Sequence, residues 1–147
     1  VPRLIDRAAL WARQARALRA GPATFLLDRV AGDMQERLHA VLREFKDVAD
    51  IWTPGGLFRG PLPDRFGSVV PVGMFDSEDE ALRLPPESLD LALSALALQF
   101  ANDLPGVLAQ IRRALKPDGL FLAALPGGHQ LFATQHCTNG ADLRIGE

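Results

Sequence analysis

The chain has 147 residues, 48% of them hydrophobic, which is enough apolar material for the core of one globular domain. Its formal net charge of -2 at pH 7 gives no overall electrostatic footprint for nucleic acid, and no apolar run approaches the roughly 18 residues of a membrane span. Its one cysteine, Cys137, excludes an internal disulfide and fits a reducing compartment, so we expect a cytoplasmic protein.

The first 45 residues predict two helices. Residues 3 to 20 are rich in alanine and arginine, which form helices readily, and their apolar stripe comprises Leu4, Ala8, Trp11, Ala15 and Leu18. We expect the helix to dock on the domain through this stripe. The alternative is a surface for an acidic partner or an anionic lipid. Residues 24 to 45 predict a second helix, with inward side chains at Phe25, Leu26, Val30, Met34, Leu38, Val41 and Phe45.

Two strand candidates follow, on either side of a glycine turn. Residues 47 to 52 (DVADIW) predict the first strand, and TPGG at 53 to 56 predicts the turn. Residues 68 to 74 (SVVPVGM) predict the second strand. Pro71 has no N–H to donate to a neighbouring strand, which favours a position at the edge of the sheet.

The most regular stretch runs from Leu89 to Gly128. Its apolar start, Leu89 to Ser94, is typical of a strand buried on both faces. A helix follows, capped by Asn102 or Asp103, with apolar residues on one face at Leu104, Val107, Leu108, Ile111 and Leu115. KPDG at 116 to 119 ends the helix, and 119 to 124 (GLFLAA) predict another buried strand in a right-handed strand–helix–strand unit.

These elements predict an α/β fold with a mostly parallel sheet and crossover helices. We divide its single domain into an N-terminal helical segment (1–45), an α/β core (46–128) and an irregular tail (129–147). The tail contains His129, His136 and Cys137, whose spacing does not match a zinc site, so no metal is expected. The chain also lacks a GxSxG elbow, a Walker loop and an HExxH motif, and we assign no catalytic residue.

The stretch from LDLALS to LFLAAL, with the acidic segment EDEALRLP at 78 to 85, resembles class I S-adenosylmethionine-dependent methyltransferases. The likeness covers roughly residues 1 to 131. It is nearest to the branch that contains the carrier-protein methyltransferase of biotin synthesis and the mitochondrial complex I assembly factor. It implies a Rossmann-like fold, S-adenosylmethionine as cofactor and a small-molecule or carrier-bound acceptor. The mitochondrial matrix becomes an alternative location if the source is eukaryotic.

The resemblance also implies a site. The loops after the first three strands of the family, and the end of its fourth, would supply the cofactor-binding residues Asp50, Gly55, Gly56, Asp76, Asp79, Glu80, Ala81, Leu82, Ser94 and Leu98. Asp76 is the nearest candidate by position to hold the ribose hydroxyls, the alternative being a solvated loop acid. Asp79 or Glu80 would accept a hydrogen bond from the adenine amine, the alternative being an acidic surface turn. Gln99 and Phe100 would contact the substrate or the sulfonium.

Two departures from the family pattern keep a second function open. Trp52 and Pro54 stand where the family's loop has its first two glycines. The interval from Ile51 to Leu89 is also short for the three helices and two strands of the complete pattern, so one strand–helix unit is expected to be missing. The chain is therefore either a methyltransferase or a non-catalytic remnant kept for protein assembly or interaction. A third alternative is that a second chain supplies the missing part.

The strand at Gly119 to Ala124 carries no charge and no proline. If nothing pairs with its outer edge, that edge would recruit another chain. We therefore expect a homo-oligomer, formed by pairing of these edges or by exchange of the N-terminal helices.

Overall fold

The computed structural model describes residues 3–57, 64–126, 135–136 and 144–145. In chain order its elements are α1 (Arg7–Ala20), α2 (Phe25–Ala40), β1 (Phe45–Ile51), β2 (Phe66–Val72), β3 (Leu89–Ala95), a 3₁₀ helix (Leu98–Phe100), α3 (Leu104–Ala114), β4 (Leu115–Ala124), β5 (Gln135–His136) and β6 (Arg144–Ile145). Strands β5 and β6 pair with each other and are antiparallel.

Strands β1 to β4 form one parallel sheet in the order β2-β1-β3-β4. The chain moves outward from β1 to β2 and then crosses back to β3 on the other side of β1. The order therefore reverses between β1 and β3, as in Rossmann-like folds, where ligands bind outside the carboxyl ends of the strands at such a reversal. The predicted α/β class is confirmed. So is the edge position of the strand that contains Pro71.

Helices cover both faces of this sheet. On one face α3 packs over a cluster that includes Ala49, Ile51, Ala92, Phe121 and Ala123. On the other face α2 packs over Val48, Leu91, Leu93, Leu120 and Leu122. Each side chain of this size contributes about 1.5–3 kcal/mol when fully buried. Because both faces of the sheet are covered, successive side chains of β3 are all buried, which explains why its sequence is a continuous apolar run.

The turn from α3 into β4 is tighter than its sequence suggests. The Asp103 carboxylate accepts the Gly106 N–H at 3.0 Å, which caps the start of the helix as predicted. The helix ends at Ala114, and Leu115 is already paired with Leu89 in the sheet. The next pair along the two strands is Leu91 with Leu120, so the KPDG segment lies within an irregularity in the register of this pairing. The strand therefore begins at Leu115, four residues before the predicted Gly119.

An acidic side chain ties the amino ends of β1, β3 and β4 together. Asp90 Oδ2 accepts the N–H groups of Lys46 and Asp47 at 3.1 and 3.0 Å. The Lys116 ammonium donates to both Asp90 and Asp47 at 3.0 Å. Burial alone would raise the pKa of Asp90, but these hydrogen bonds outweigh it and hold the pKa below its usual value. This cluster lies at the opposite end of the strands from the reversal.

The N-terminal helices differ from the prediction in how they pack. Helix α2 buries Val30, Met34 and Leu38 as expected, but Phe25 is 78% exposed and Phe45 begins β1. Helix α1 has no buried residue. The stripe that was expected to dock faces solvent, with Leu4, Trp11 and Leu18 exposed by 82%, 58% and 71%. Leu10, one position away from Trp11, packs against the core instead.

The connections between β1 and β3 agree with the expectation that one strand–helix unit is missing. Within the described residues β2 is the one strand between β1 and β3, and residues 73 to 88 cross to β3 without a helix. In the part of the chain that the structure describes, none of the helices has the length and apolar character needed to span a bilayer.

Candidate functional site

The loop after β1 is a tight turn held by hydrogen bonds within it. Asp50 lies at the end of β1, and its Oδ2 atom accepts the Leu57 N–H at 2.5 Å across the loop. The Gly56 N–H donates to the Thr53 carbonyl at 3.0 Å. Gly55 and Gly56 have φ of 72° and 80°, left-handed values that other residues adopt only with strain. The two glycines are therefore required by the turn.

Trp52 adopts a glycine-like backbone in this loop. Its φ is 63°, a value that is rare for a bulky residue. Its N–H donates to the Val72 carbonyl at 2.8 Å, which ties the end of β1 to the end of β2. The indole is 5% exposed and joins the core cluster under α3. Trp52 thus holds a left-handed backbone at a cost in strain, while its side chain packs in the core.

A cleft opens between the carboxyl ends of β1 and β2. Its volume of about 390 Å³ lies within the range of small-molecule sites, about 300–1,000 Å³. Three segments line it: the loop after β1, the end of β2 with the turn that follows, and α1. The lining residues are Gln14, Asp50, Trp52, Thr53, Pro54, Gly55, Gly56, Pro71, Val72, Gly73, Met74 and Phe75.

Asp50 is a buried acidic residue in the lining of this cleft. Its side chain is buried, and burial raises its pKa above the usual value, with the Thr53 hydroxyl and the Leu57 N–H opposing part of that shift. Its Oδ1 atom has no hydrogen-bond partner among the described residues. A buried carboxylate oxygen without a donor is costly, and it marks a place where a polar ligand group or a water would be stabilised.

Asp76 follows the cleft-lining turn after β2. Its Oδ2 atom accepts the Gly73 N–H at 2.7 Å, and the carboxylate is exposed to solvent. Because Gly73 lines the cleft, this carboxylate lies one hydrogen bond away from the cleft wall. The structure thus brings together four of the predicted cofactor-binding residues, Asp50, Gly55, Gly56 and Asp76.

Glu80 has other partners. Its carboxylate accepts the Asn102 and Asp103 N–H groups at 2.9 and 3.1 Å, at the start of α3. It also pairs with the Arg7 guanidinium at 3.1 Å. Burial alone would raise the pKa of Glu80, but the hydrogen bonds from these groups outweigh it and the pKa lies below its usual value. Both carboxylate oxygens are thus used to hold the loop.

Arg7 holds the same loop from the other side. Its guanidinium donates to the Met74 and Ser77 carbonyls and lies 5.5 Å from the centre of the Phe75 ring. Met74 and Phe75 are cleft-lining residues. The first turn of α1 therefore fixes one wall of the cleft. Arg7, Gln14 and Thr53 were not identified from the sequence as part of the site, since the first two lie far from the loops in sequence.

The other predicted residues of the acidic segment at 78 to 85 differ in how exposed they are. Asp79 is exposed, and its Oδ1 atom accepts the Ala81 N–H at 3.3 Å. Ala81 is half-buried, whereas Leu82 is 5% exposed and lies in the core under α3. The Leu82 N–H donates to Gln110 Oε1 at 2.9 Å, and Gln110 also donates to the Glu80 carbonyl. Helix α3 therefore holds the loop at two points.

The end of β3 carries the other predicted residues. Ser94 is fully buried and its Oγ atom has no partner among the described residues, whereas Leu98 is buried in the core. The Ala95 N–H donates to the Thr53 hydroxyl at 3.0 Å, which links this end to the β1 loop. Gln99 and Phe100 are half-buried in the 3₁₀ helix, and Gln99 Nε2 donates to the Leu96 carbonyl at 2.8 Å.

Among the described residues no three His, Cys, Asp or Glu side chains are grouped to hold a metal ion. His129 and Cys137 lie outside the described ranges, as does the side chain of His136.

The chain shares sequence with methyltransferases and their relatives. Residues 64–123 match the family model described as a methyltransferase domain. The mitochondrial arginine-hydroxylase NDUFAF5 of Danio rerio is 41% identical over 107 residues, which cover 73% of this chain and 33% of that protein. The malonyl-[acyl-carrier protein] O-methyltransferase of Gallionella capsiferriformans (strain ES-2) is 38% identical over 65 residues, covering 44% of this chain and 22% of that protein. The chain thus spans about a third or less of these relatives.

Among solved structures, a SAM-dependent methyltransferase of Thermotoga maritima overlaps with a TM-score of 0.49 at 16% identity, covering 78% of this chain and 61% of that one. The strand order, rather than this overlap, defines the fold. Residues 64–123 are thus similar to a methyltransferase domain, and the chain is similar in sequence to part of each of these relatives.

Proposed function

We propose that the cleft between β1 and β2 binds S-adenosylmethionine and that the chain is the cofactor-binding part of a methyltransferase. The observation that carries the proposal is the loop from Asp50 to Leu57. It keeps left-handed backbone at three positions, Trp52, Gly55 and Gly56, and it borders a cleft of about 390 Å³ beside a buried carboxylate oxygen without a partner.

The residues present fit such a ligand. The glycines at 55 and 56 let backbone approach it closely, and Asp50 offers an acceptor for its hydroxyl or ammonium groups. Asp76, in the turn after β2, is our candidate to accept hydrogen bonds from the ribose hydroxyls. Asp79, Ala81 and Leu82 stay our proposal for the adenine side, with Glu80 holding their loop in shape. We also propose that Ser94 and Leu98 contribute to cofactor binding.

S-adenosylmethionine, when bound, supplies an electrophilic methyl group on a sulfonium. The chain then has to orient donor and acceptor and exclude water, and it needs no dedicated acid or base. Gln99 and Phe100, half-buried at the end of β3, are our candidates for contact with the acceptor. We propose a small-molecule or carrier-bound acceptor, because the Gallionella relative is a malonyl-[acyl-carrier protein] O-methyltransferase.

The second candidate is a non-catalytic methyltransferase fold that acts in protein assembly or interaction. Two observations favour it. Trp52 lines the cleft at the position where the resembled family has a glycine, and both oxygens of Glu80 are used within the protein. Under either function we propose a homo-oligomer. We propose the cytoplasm as its location, or the mitochondrial matrix in a eukaryotic source, and the mitochondrial relative of Danio rerio supports the latter.

A methyl-transfer assay separates the two candidates. The chain would be incubated with S-adenosylmethionine labelled in its methyl group and with acyl-carrier-protein thioesters or small carboxylic acids. The enzyme hypothesis predicts label in one acceptor class, lost in Asp50→Ala. Cofactor binding without transfer to any acceptor would support the remnant. A control variant such as Leu42→Ala, at an exposed position outside the cleft, should transfer at the wild-type rate.

A further inference from the structure

Helix α1 contributes one polar side chain to the lining of the cleft, that of Gln14. Arg7, Leu10 and Gln14 are spaced by three and four residues, so they lie on one face of the helix. Arg7 donates to the Met74 and Ser77 carbonyls. Leu10 packs against the core cluster under α3. The third position of this face is thereby held at the cleft, and it carries an amide where an apolar side chain would complete the packing.

The Gln14 amide forms no hydrogen bond within the part of the chain that the structure describes. The residue is half-buried, so the partners of its amide are water or a ligand in the cleft. An amide donates and accepts at the same time. A ligand group that presents a donor beside an acceptor therefore satisfies it best.

The wall of the cleft to which α1 is attached is apolar. It consists of the end of β2 and the turn that follows, with the side chains of Pro71, Val72, Met74 and Phe75. The buried carboxylate of Asp50 lies on the other side, at the end of β1. A nucleoside base buries its flat faces against apolar side chains and keeps its donors and acceptors at the edge of the ring. The base of a bound nucleoside therefore fits the β2 side of the cleft.

The acidic segment at 78 to 85 leaves this edge without a partner inside the cleft. None of its residues is among the described residues that line the cleft. Both oxygens of Glu80 already accept N–H groups at the start of α3. A donor and an acceptor for the edge of the base are therefore needed from another element, and the amide of Gln14 supplies both.

We propose that Gln14 recognises the adenine of the bound cofactor, accepting a hydrogen bond from its amino group and donating one to a ring nitrogen. Glutamine pairs in the same way with adenine N6 and N7 in protein–DNA complexes. The inference rests on the proposed binding of S-adenosylmethionine in the cleft. It adds to the acidic loop, proposed for the adenine side, a residue of α1 that selects the base.

A double-mutant cycle with a base analogue tests this contact. The ligands are S-adenosylhomocysteine and the analogue in which hydrogen replaces the 6-amino group of the base. Both are titrated calorimetrically into wild type and Gln14→Met, which keeps the length of the side chain and removes its amide. In wild type, loss of the amino group should weaken binding at least about fivefold, because the amide oxygen is left unpaired. In Gln14→Met, the two ligands should bind within about twofold of each other.

Two further variants separate direct contact from support of the helix. Arg13→Met changes the neighbouring, exposed position of α1 and should keep the wild-type preference for the amino group. Gln14→Glu keeps an acceptor for the amino group but no donor for the ring nitrogen. It should therefore keep the preference while binding both ligands more weakly. A side chain that only supports α1 would change both affinities together and leave the preference as it is in wild type.

Three results would overturn the inference. Equal affinity of wild type for the two ligands would show that the amino group is not recognised. An undiminished preference in Gln14→Met would assign its recognition to another residue, such as Asp79. Both results leave cofactor binding intact. Absence of S-adenosylhomocysteine binding by wild type would instead overturn cofactor binding in the cleft, and the role of Gln14 with it.

Discussion

The Arg7 guanidinium and the Glu80 carboxylate form a buried ion pair, 3.1 Å apart, that joins the first turn of α1 to the loop between β2 and β3. Their side chains are 13% and 7% exposed. The pair spans 73 positions in the sequence. Because Glu80 also caps the start of α3, one carboxylate connects three parts of the fold next to the cleft.

We expect Glu80→Gln to destabilise the protein by about 2–4 kcal/mol at pH 7, because it leaves Arg7 buried without its counter-charge. The folded-state pKa of Glu80 lies below its ordinary value of 4.5. The pair therefore stabilises the fold above pH 4.5 and loses that effect as pH falls through the lower, folded-state pKa. Urea unfolding of both proteins between pH 3 and 7 should show their difference shrinking on acidification.

Asp90, whose pKa is also lowered, titrates in both proteins and cancels from that difference. A difference that stays constant from pH 7 to pH 3 would show that the ion pair does not contribute as argued. Asp90→Asn removes another carboxylate whose pKa is lowered by backbone partners, at the far end of the sheet, and its stability difference from wild type should shrink on acidification in the same way.

Asp50 should behave in the opposite way. Its pKa is raised by burial, so the charged form is unfavourable in the folded state at pH 7. Asp50→Asn keeps an oxygen for the Leu57 N–H and removes the buried charge. We expect the variant to be up to about 1 kcal/mol more stable than wild type at pH 7, the gain fading toward pH 4. A loss of more than that amount at pH 7 would contradict the assignment of Asp50 as a strained, ligand-facing group.

Trp52 combines favourable packing with an unfavourable backbone. Trp52→Ala should cost about 3–5 kcal/mol, because it removes a buried indole and keeps a left-handed backbone. Trp52→Gly loses the same packing but relieves the strain, so we expect it to be about 1 kcal/mol more stable than Trp52→Ala. Thermal and urea unfolding measure both. Equal stabilities would show that φ at this position is not strained.

Substitution of Trp52 also tests whether its side chain obstructs ligand binding in the cleft. If the indole and the ring of Pro54 obstruct the ligand, Trp52→Gly with Pro54→Gly should bind S-adenosylhomocysteine more tightly than wild type, although it is less stable. The single Pro54→Gly variant separates the two contributions. Unchanged affinity in the double variant would place the defect in the missing strand–helix unit.

Much of the sheet follows from local pattern. The continuous apolar run of β3, the capped start of α3 at Asp103 and the edge position of Pro71 each rest on residues close together in sequence. The packing of α1 was missed because periodicity identifies an apolar stripe but not its partner. In the structure a polar residue, Arg7, anchors the helix, and the stripe that contains Trp11 stays exposed.

The candidate site was predictable where it depends on one loop. Asp50, Gly55 and Gly56 lie within a single turn, and their residue types indicate its conformation. The contacts of Glu80 with Arg7 and Asn102 were not predicted, because these partners are distant in sequence. The left-handed backbone of Trp52 could not be predicted either, because a bulky residue rarely adopts that conformation.

Calorimetric titration of the chain with S-adenosylhomocysteine tests cofactor binding in the cleft most directly. We predict a 1:1 isotherm with a dissociation constant in the micromolar range, about -8 kcal/mol, weakened at least about tenfold in Asp50→Ala and unchanged in Leu42→Ala. The melting temperature should rise with ligand concentration. Absence of both heat and thermal shift at millimolar ligand would contradict cofactor binding and leave the fold without its proposed ligand.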